Sequence, residues 1–371
     1  MNTIDFLFKY SLRLYRTRLM HFLLPVLFHR LFLLSLIKLL YTMKFKFSLL
    51  FLFLLLFSSA VISQQKNKKQ KKPFKVVGYY LLNSALNDTI YADSSYLFLD
   101  KITHLNIAFI NPDSTGNFKQ DLTIDTLIEK AHRKKVKVLA SIAGGGRHPY
   151  YSFLLSNNKR KFFINNLMAL VFKYNLDGID VDLEGSDIDS NYENFVIELA
   201  ASLKPLNKLV TAAIATAYKD QLSDRALKQF NFVNVMSYDR TGPWRPDKPG
   251  NHSPYTMALE DLDYWHKIRL LPKEKLVLGL PFYGYGFGNL NSPVISMDYK
   301  QVAAINKDNR SQDTLTLPGN VMFYYNNIST IRKKTELAMK KASGVMIWQL
   351  SGDTAGENSL LNTIYLVSKK L

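Results

Sequence analysis

The stretch that decides the fold is DGIDVDLEG, Asp177 to Gly185. Ile179, Val181 and Leu183 alternate with Asp180, Asp182 and Glu184, the period-two pattern of a β-strand. Three carboxylates therefore share one face, opposite an apolar one. Like charges stacked in this way repel, and burial makes their ionised forms costlier still. Such a cluster belongs to a functional site more often than to a structural one. Asp177 opens the strand and is read as structural, satisfying backbone donors. An Asp cluster can also bind Mg²⁺ or Ca²⁺. The remaining motifs weigh against that reading, so no metal and no cofactor are expected.

Similar apolar runs recur along the chain. VVGYY (76–80), HLNIAFI (104–110), KVLASIA (137–143), LVTAAIA (209–215), FVNVMSYD (232–239), KLVLGLPFYG (275–284) and GVMIWQLSGD (344–353) bring the number of predicted strands to eight. Amphipathic helical stretches lie between several of them, at 122–135, 159–174, 192–203 and 328–342. Alternating β and α units imply a parallel sheet, and eight of them imply an α/β fold of the closed (β/α)₈ TIM-barrel type. The alternative, an open doubly wound sheet, would bring a glycine-rich phosphate loop, and AGGGRHP lacks the spacing. A barrel places its active site at the C-terminal ends of its strands. Glu184, Tyr238, Asp239, Trp348, Tyr79 and Phe109 all fall at such ends. Carboxylates beside aromatic faces suit a carbohydrate, whose C–H faces stack on rings while its hydroxyls need polar partners.

The formal charge of +18 invites a nucleic-acid reading, but its distribution does not. Residues 1–75 hold 14 Lys or Arg and one acid, Asp5, whereas the remainder holds 34 basic and 29 acidic residues. No basic stripe with interleaved aromatics marks the rest, so no nucleic-acid partner is expected. From Met43 the chain reads MKFKFSLLFLFLLLFSSAVISQQ, with a positive start, an apolar run and small residues for cleavage, the pattern of a signal peptide over 43–63. The apolar run is short for a membrane span, so membrane contact is expected only through an uncleaved N-terminal segment. A basic linker, QQKNKKQKKPFK, covers 64–75. Residues 1–42 precede a complete signal and are read as a mis-assigned upstream start or an extra N-terminal segment. The barrel spans 76–371. The chain has no cysteine, which excludes disulfides, thiolate metal sites and a cysteine nucleophile. The expected location is secreted or in the cell envelope, with bacterial-type export, and the expected state is a monomer.

The strand-end motifs together resemble a family. DGIDVDLE matches the DxxDxDxE signature of family 18 glycoside hydrolases, which include the chitinases, and MSYD (236–239) matches that family's MxYD. SIAGGG from Ser141 resembles its SxGG, and the last two apolar runs resemble its strands seven and eight. The resemblance implies a substrate-assisted retaining hydrolysis of β-1,4-linked N-acetylglucosamine polymers such as chitin, an exception to the two-carboxylate scheme. Glu184 would be general acid and base, Asp182 would hold the substrate's acetamido N–H, and Asp180 would share a proton with Asp182. Tyr238 would aim the acetamido oxygen, with Asp239 in support. Trp348 would lie under the sugar, and Tyr79, Phe109, Met236, Trp244 and Tyr283 would be substrate contacts. Asp177, Gly178, Ser141 and Gly144 would shape the motifs. Other possibilities are an endo-β-N-acetylglucosaminidase, a peptidoglycan hydrolase, or a non-catalytic sugar-binding member.

The chain departs from the family pattern in three places. Ala143 stands where a glycine is usual, and costs little unless φ must be positive. LLNSALN follows GYY without the tryptophan many members carry there. The connection between strands seven and eight looks too short for a full α+β insertion domain, which predicts a shallow groove and internal cleavage. Peptide mapping of the cellular protein is expected to find no residue upstream of Met43; peptides from 1–42 would instead make that segment part of the protein.

Overall fold

The computed structural model describes residues 73–82, 99–119, 122, 124–289, 292–306 and 311–369, together with residue 33. The signal peptide, most of the basic linker and the segment before Met43 lie outside the described residues. Among the described residues no helix is long and apolar enough to cross a membrane.

Eight parallel strands close into a barrel: β1 (Lys75–Leu81), β2 (His104–Ala108), β3 (Lys137–Ala143), β4 (Gly178–Asp182), β5 (Leu209–Ile214), β6 (Phe232–Val235), β7 (Leu276–Pro281) and, last in the chain, a strand over Gly344–Trp348 that pairs with both β7 and β1. The barrel read from the sequence is thus the one observed. Helices at Asp125–Arg133, Arg160–Lys173, Tyr192–Leu203 and Ile328–Lys341 match the amphipathic stretches. Their apolar faces meet the outward side chains of the strands in one continuous core. Trp265 is fully buried there, as its helical context predicts. A smaller cluster fills the barrel interior: Val77, Tyr79, Ala108, Phe232, Tyr238, Val277 and Met346, with Phe109, Met236, Tyr283 and Trp348 packed on it.

The strand endings differ from the sequence reading. β4 ends at Asp182 and β6 at Val235, so Glu184 and Tyr238 sit just beyond the barrel ladder. Glu184 keeps extended backbone angles (φ −128°, ψ 149°), which leaves it on the face of Asp180 and Asp182. Tyr283 belongs to no barrel strand. It begins β8 (Tyr283–Phe287), which with β9 (Ile295–Asp298), β10 (Thr314–Leu317) and β11 (Val321–Tyr324) makes an antiparallel sheet of order β10-β11-β8-β9. A helix at Tyr299–Ile305 follows β9, and the barrel strand Gly344–Trp348 is β12. The short connection therefore builds a compact α+β unit on one side of the rim.

The motif glycines earn their places by contact. A Cβ on Gly178 would lie 2.1 Å from the Leu209 carbonyl oxygen on the neighbouring strand. A Cβ on Gly144 (φ +60°) would lie 2.0 Å from the Phe109 ring. Ala143 adopts φ +64°, the one condition under which alanine is costly there. The backbone is held in that state from outside. Ala143 N–H donates to Asn111 Oδ1 at 2.6 Å and to the Tyr151 hydroxyl at 3.0 Å, while Asn111 Nδ2 donates to the Ala143 carbonyl at 3.0 Å. Glycine at 143 would remove a left-handed penalty of about 1–2 kcal/mol and add about 0.4–1 kcal/mol of unfolded-chain entropy. Ala143→Gly is expected to melt no lower than the wild type, and Gly144→Ala several degrees lower; the reverse order in calorimetry would contradict this reading of the turn.

Candidate active site

The site begins with Asp180, whose place in the register explains its surroundings. Ser141 on β3 and Thr211 on β5 sit directly beside it across the ladder. Ser141 Oγ donates to Asp180 Oδ2 at 2.9 Å, and Thr211 Oγ1 donates to Oδ1. The Tyr79 hydroxyl donates to Oδ2 at 2.5 Å and Asn234 Nδ2 to Oδ1 at 3.2 Å. Burial raises the Asp180 carboxyl above the usual carboxylate range, and the hydroxyls of Thr211, Tyr79 and Ser141 pull it back. Tyr79, read as a substrate contact, is only 1% exposed and stands beneath the carboxylates. Ser141 likewise faces Asp180.

Asp182 is one step nearer the rim. Its Oδ1 is buried with no hydrogen-bond partner. Both oxygens of Asp180 are already met by the donors named above. Burial holds Asp182 well above the ordinary carboxylate range, with the charges of Glu184 and Asp180 adding to it. Glu184 is half-buried, and desolvation raises it too, assisted by Asp239 and Asp187. Burial comes first because the side chain sits just inside the rim. Tyr218 opposes the rise: its hydroxyl donates to Glu184 Oε2 at 3.3 Å. The same pairing and its own burial push Tyr218 up to about 12.

Asp239 also has positive φ, +64°, which turns its side chain away from the strand direction. Its Oδ1 accepts from the Tyr283 hydroxyl at 2.6 Å and the Tyr285 hydroxyl at 3.3 Å. Tyr283, expected to touch substrate, thus also orients Asp239. Among the described residues the buried Tyr238 hydroxyl has the Met346 sulfur as its hydrogen-bond partner, 3.8 Å away, a weak acceptor that leaves its proton available. Trp348 stacks on Phe109 (5.6 Å, 26°) and meets Tyr79 edge-on at 5.4 Å. Glu184, Tyr218, Met236, Tyr238, Asp239 and Trp244 line a groove of about 850 Å³. Trp244 is 55% exposed and packs edge-on against Tyr285. Asp177 lies at the opposite end of β4, where its Oδ2 accepts from Val138 N–H at 2.8 Å and pairs with His132, the structural role read for it. Of LLNSALN (81–87), the stretch expected to lack a distal sugar contact, residues 83–87 lie outside the described residues. Among the described residues no group of three or more His, Cys, Asp or Glu is arranged to hold a metal ion.

Sequence reasoning missed Thr211, Asn234, Tyr218, Tyr285 and His252. The first two carried a usable signal. Each is a polar residue inside an otherwise apolar strand, LVTAAI and FVNV, as Ser141 and Asp180 are in theirs. Tyr218 stands on the 3-10 helix Thr216–Gln221 that follows β5, and His252 on a loop; nothing local marks either.

A closed parallel barrel with a ladder of raised carboxyls at its C-terminal rim, flanked by aromatic rings, is the architecture of a barrel glycosidase. The family description Glycosyl hydrolases family 18 matches residues 75–353, and the chain belongs to that family. It is similar to the GH18 chitinase ChiB from the chitin utilization locus of Flavobacterium johnsoniae, with 36% identity, a TM-score of 0.72, and 81% of this chain and 95% of that one covered. A chitinase from Bacteroides thetaiotaomicron is 27% identical with a TM-score of 0.68, over 80% of this chain and 96% of that one. Endochitinase 1 of Metarhizium robertsii is 26% identical over 332 residues, 77% of each chain. The protein is a glycosidase of chitinase type.

Two outcomes follow from the electrostatics. Tyr218→Phe removes the bond that favours ionised Glu184, so the alkaline limb of kcat/KM is expected to move to higher pH; an unmoved or lowered limb would contradict the contact. Asp182 has a folded pKa above its unfolded one, so the fold binds that proton more tightly and gains stability as pH falls through the raised pKa. Asp182→Asn cannot ionise. It is expected to melt above the wild type at about pH 8, with the gap closing towards about pH 4, near the unperturbed carboxylate range; a lower melting point at the alkaline end would count against the burial cost.

Proposed function

We propose that the protein hydrolyses β-1,4-linked N-acetylglucosamine polymers, chitin or chito-oligosaccharides, by a substrate-assisted retaining mechanism. The observation that carries this reading is the orphaned Oδ1 of Asp182. A buried carboxylate oxygen without a donor is costly, and an acetamido N–H of a bound sugar supplies that donor. The carbonyl oxygen of the same acetamido group is then free to attack the anomeric carbon. The Tyr238 hydroxyl, with no strong acceptor of its own, aims that oxygen.

The proton inventory fits. Glu184, raised by burial, keeps its proton towards neutral pH and delivers it to the glycosidic oxygen as the bond to the anomeric carbon breaks. The acetamido oxygen closes on that carbon to form an oxazolinium ion, whose positive charge Asp182 faces. Glu184, now ionised, takes a proton from the incoming water, which opens the ring with overall retention. The Trp348–Phe109 stack offers an apolar platform beside this chemistry. Asp239 holds the Tyr238 side of the site. Export through the 43–63 signal, with the basic 64–75 segment as a tether, belongs to the same reading.

The test is hydrolysis of chitin tetramer and pentamer by the form starting near Gln64, beside Glu184→Gln. The wild type is expected to release products and the variant to lose about 10³-fold or more in kcat, the scale of a missing acid–base group together with its electrostatic share. Binding without cleavage by both proteins would make the chain a sugar-binding member. Cleavage of N-glycan or peptidoglycan in place of chitin oligomers would keep the chemistry and change the polymer.

A further inference from the structure

His252 is fully buried, and each of its ring nitrogens faces a partner of different character. Nε2 lies 3.3 Å from the Tyr283 carbonyl oxygen, which can only accept. Nε2 therefore carries a hydrogen. Nδ1 lies 3.2 Å from Asp239 Oδ1 and 3.4 Å from the Asp239 N–H. With a hydrogen on Nε2, Nδ1 is the atom left to meet Asp239, by accepting its N–H or by donating to its Oδ1, and either contact pins Asp239 at its positive φ. The ring also packs against Tyr283 (4.9 Å) and Tyr285 (5.0 Å), the two hydroxyls that hold the Asp239 carboxylate.

The loop that carries His252 is itself tied down from behind. Lys334, fully buried on the helix Ile328–Lys341, donates to the Ser253 carbonyl (2.6 Å), Ser253 Oγ (2.7 Å) and Asn326 Oδ1 (2.6 Å). Asn326 Nδ2 donates to the Ser253 carbonyl as well, and Ser253 Oγ donates to the Ser237 carbonyl. Ser237 is two residues from Asp239, and its own hydroxyl bonds to Asp261. The end of the α+β unit, the helix Ile328–Lys341 and the strand-six loop are thus knotted at one place, with His252 as the member that reaches the site.

We infer that His252 is the positioning residue for Asp239, and that through this carboxylate it sets the field felt by the acid Glu184. The inference rests on the reading of Glu184 as general acid. The groups facing His252 are Asp239, Tyr283 and Tyr285, with the Arg240 N–H on its carbonyl and Lys334 one residue away. Those acting on Glu184 are Tyr218, Asp239, Asp187 and Asp182. Of these two sets only Asp239 is common, so a change at His252 reaches Glu184 through it. Asp239 held in place raises Glu184; released into solvent, its influence is screened.

Two substitutions separate the ring's two contacts. His252→Gln keeps an amide reaching the Tyr283 carbonyl and removes the atom facing Asp239. His252→Asn keeps a polar atom near the place of Nδ1 and gives up the Tyr283 contact. The glutamine variant is expected to lose about tenfold in kcat with KM within about twofold, the pattern of an interaction felt in the transition state, and its alkaline limb is expected to move to lower pH. The asparagine variant is expected to recover the larger part of kcat and the wild-type limb. Equal losses in both, tracking their melting temperatures, would reduce His252 to a packing residue and overturn the inference, as would no loss in either. A second reading needs no His252 variant: ¹⁵N NMR of the imidazole nitrogens in the wild type and in Asp239→Asn. Nε2 is expected to be the protonated nitrogen in both, with only the Nδ1 signal moving on substitution; a bare Nε2 would overturn the bracket even if no chitin oligomer proves to be a substrate.

Discussion

The site depends on one buried carboxylate, Asp180, being surrounded by donors. Tyr79, Ser141, Thr211 and Asn234 reach it from four other strands, β1, β3, β5 and β6. A hydrogen bond to a charged group contributes about 1.5–3 kcal/mol, which is what lets an acid persist at the centre of a barrel otherwise filled by Val77, Phe232, Val277 and Met346. The same bonds fix β4 in rotation and height. Asp182 and Glu184 follow at two-residue intervals and are delivered in turn to the buried and the half-buried levels of the rim. A gradient of solvation along one strand face thus separates three chemically similar acids. The deepest is saturated by donors, the middle one is buried with its Oδ1 unpartnered, and the outermost meets the groove.

That gradient was partly legible in the sequence. The period-two placement of the acids, the eight apolar runs and the order of the motifs follow from local geometry, so barrel, ladder and most of the helix boundaries could be read directly. What the acids bond to was not legible, because it depends on which residues the closed sheet brings side by side. Tyr79 looked like a rim aromatic, yet its hydroxyl turns inward to Asp180. Thr211 and Asn234 were visible only as polar residues in apolar strands. Tyr218, on the 3-10 helix Thr216–Gln221, and His252, on a loop, come from segments whose paths are set by packing far from their own sequence. Ala143 shows the same limit: its residue type was noted, but only the structure gives the sign of its φ.

The region between β7 and β12 does more than close the barrel. It is too short for a large added domain, yet its small sheet and the helix Tyr299–Ile305 bring Tyr283 and Tyr285 to Asp239 and place Asn326 where it ties the loop of His252 to the barrel helix Ile328–Lys341. The catalytic rim is therefore braced from two directions, by the ladder through Asp180 and by the α+β unit through Asp239. Glu184 lies between the two braces, and among the described residues Tyr218 is the hydrogen-bond partner of its carboxyl.

The central claim is that the substrate, not the protein, supplies the nucleophile, and that Asp182 awaits the substrate's amide. The most direct measurement compares two chito-oligosaccharide glycosides that differ only at the sugar being cleaved, one with its 2-acetamido group and one with a 2-hydroxyl in its place. An intramolecular nucleophile is worth a large effective concentration, so the hydroxyl analogue is predicted to react at least about 10³-fold more slowly, with the acetamido substrate releasing the retained β-anomer. Comparable rates for the two would mean that a protein carboxylate or a water attacks directly, and the roles given to Asp182 and Tyr238 would fall together.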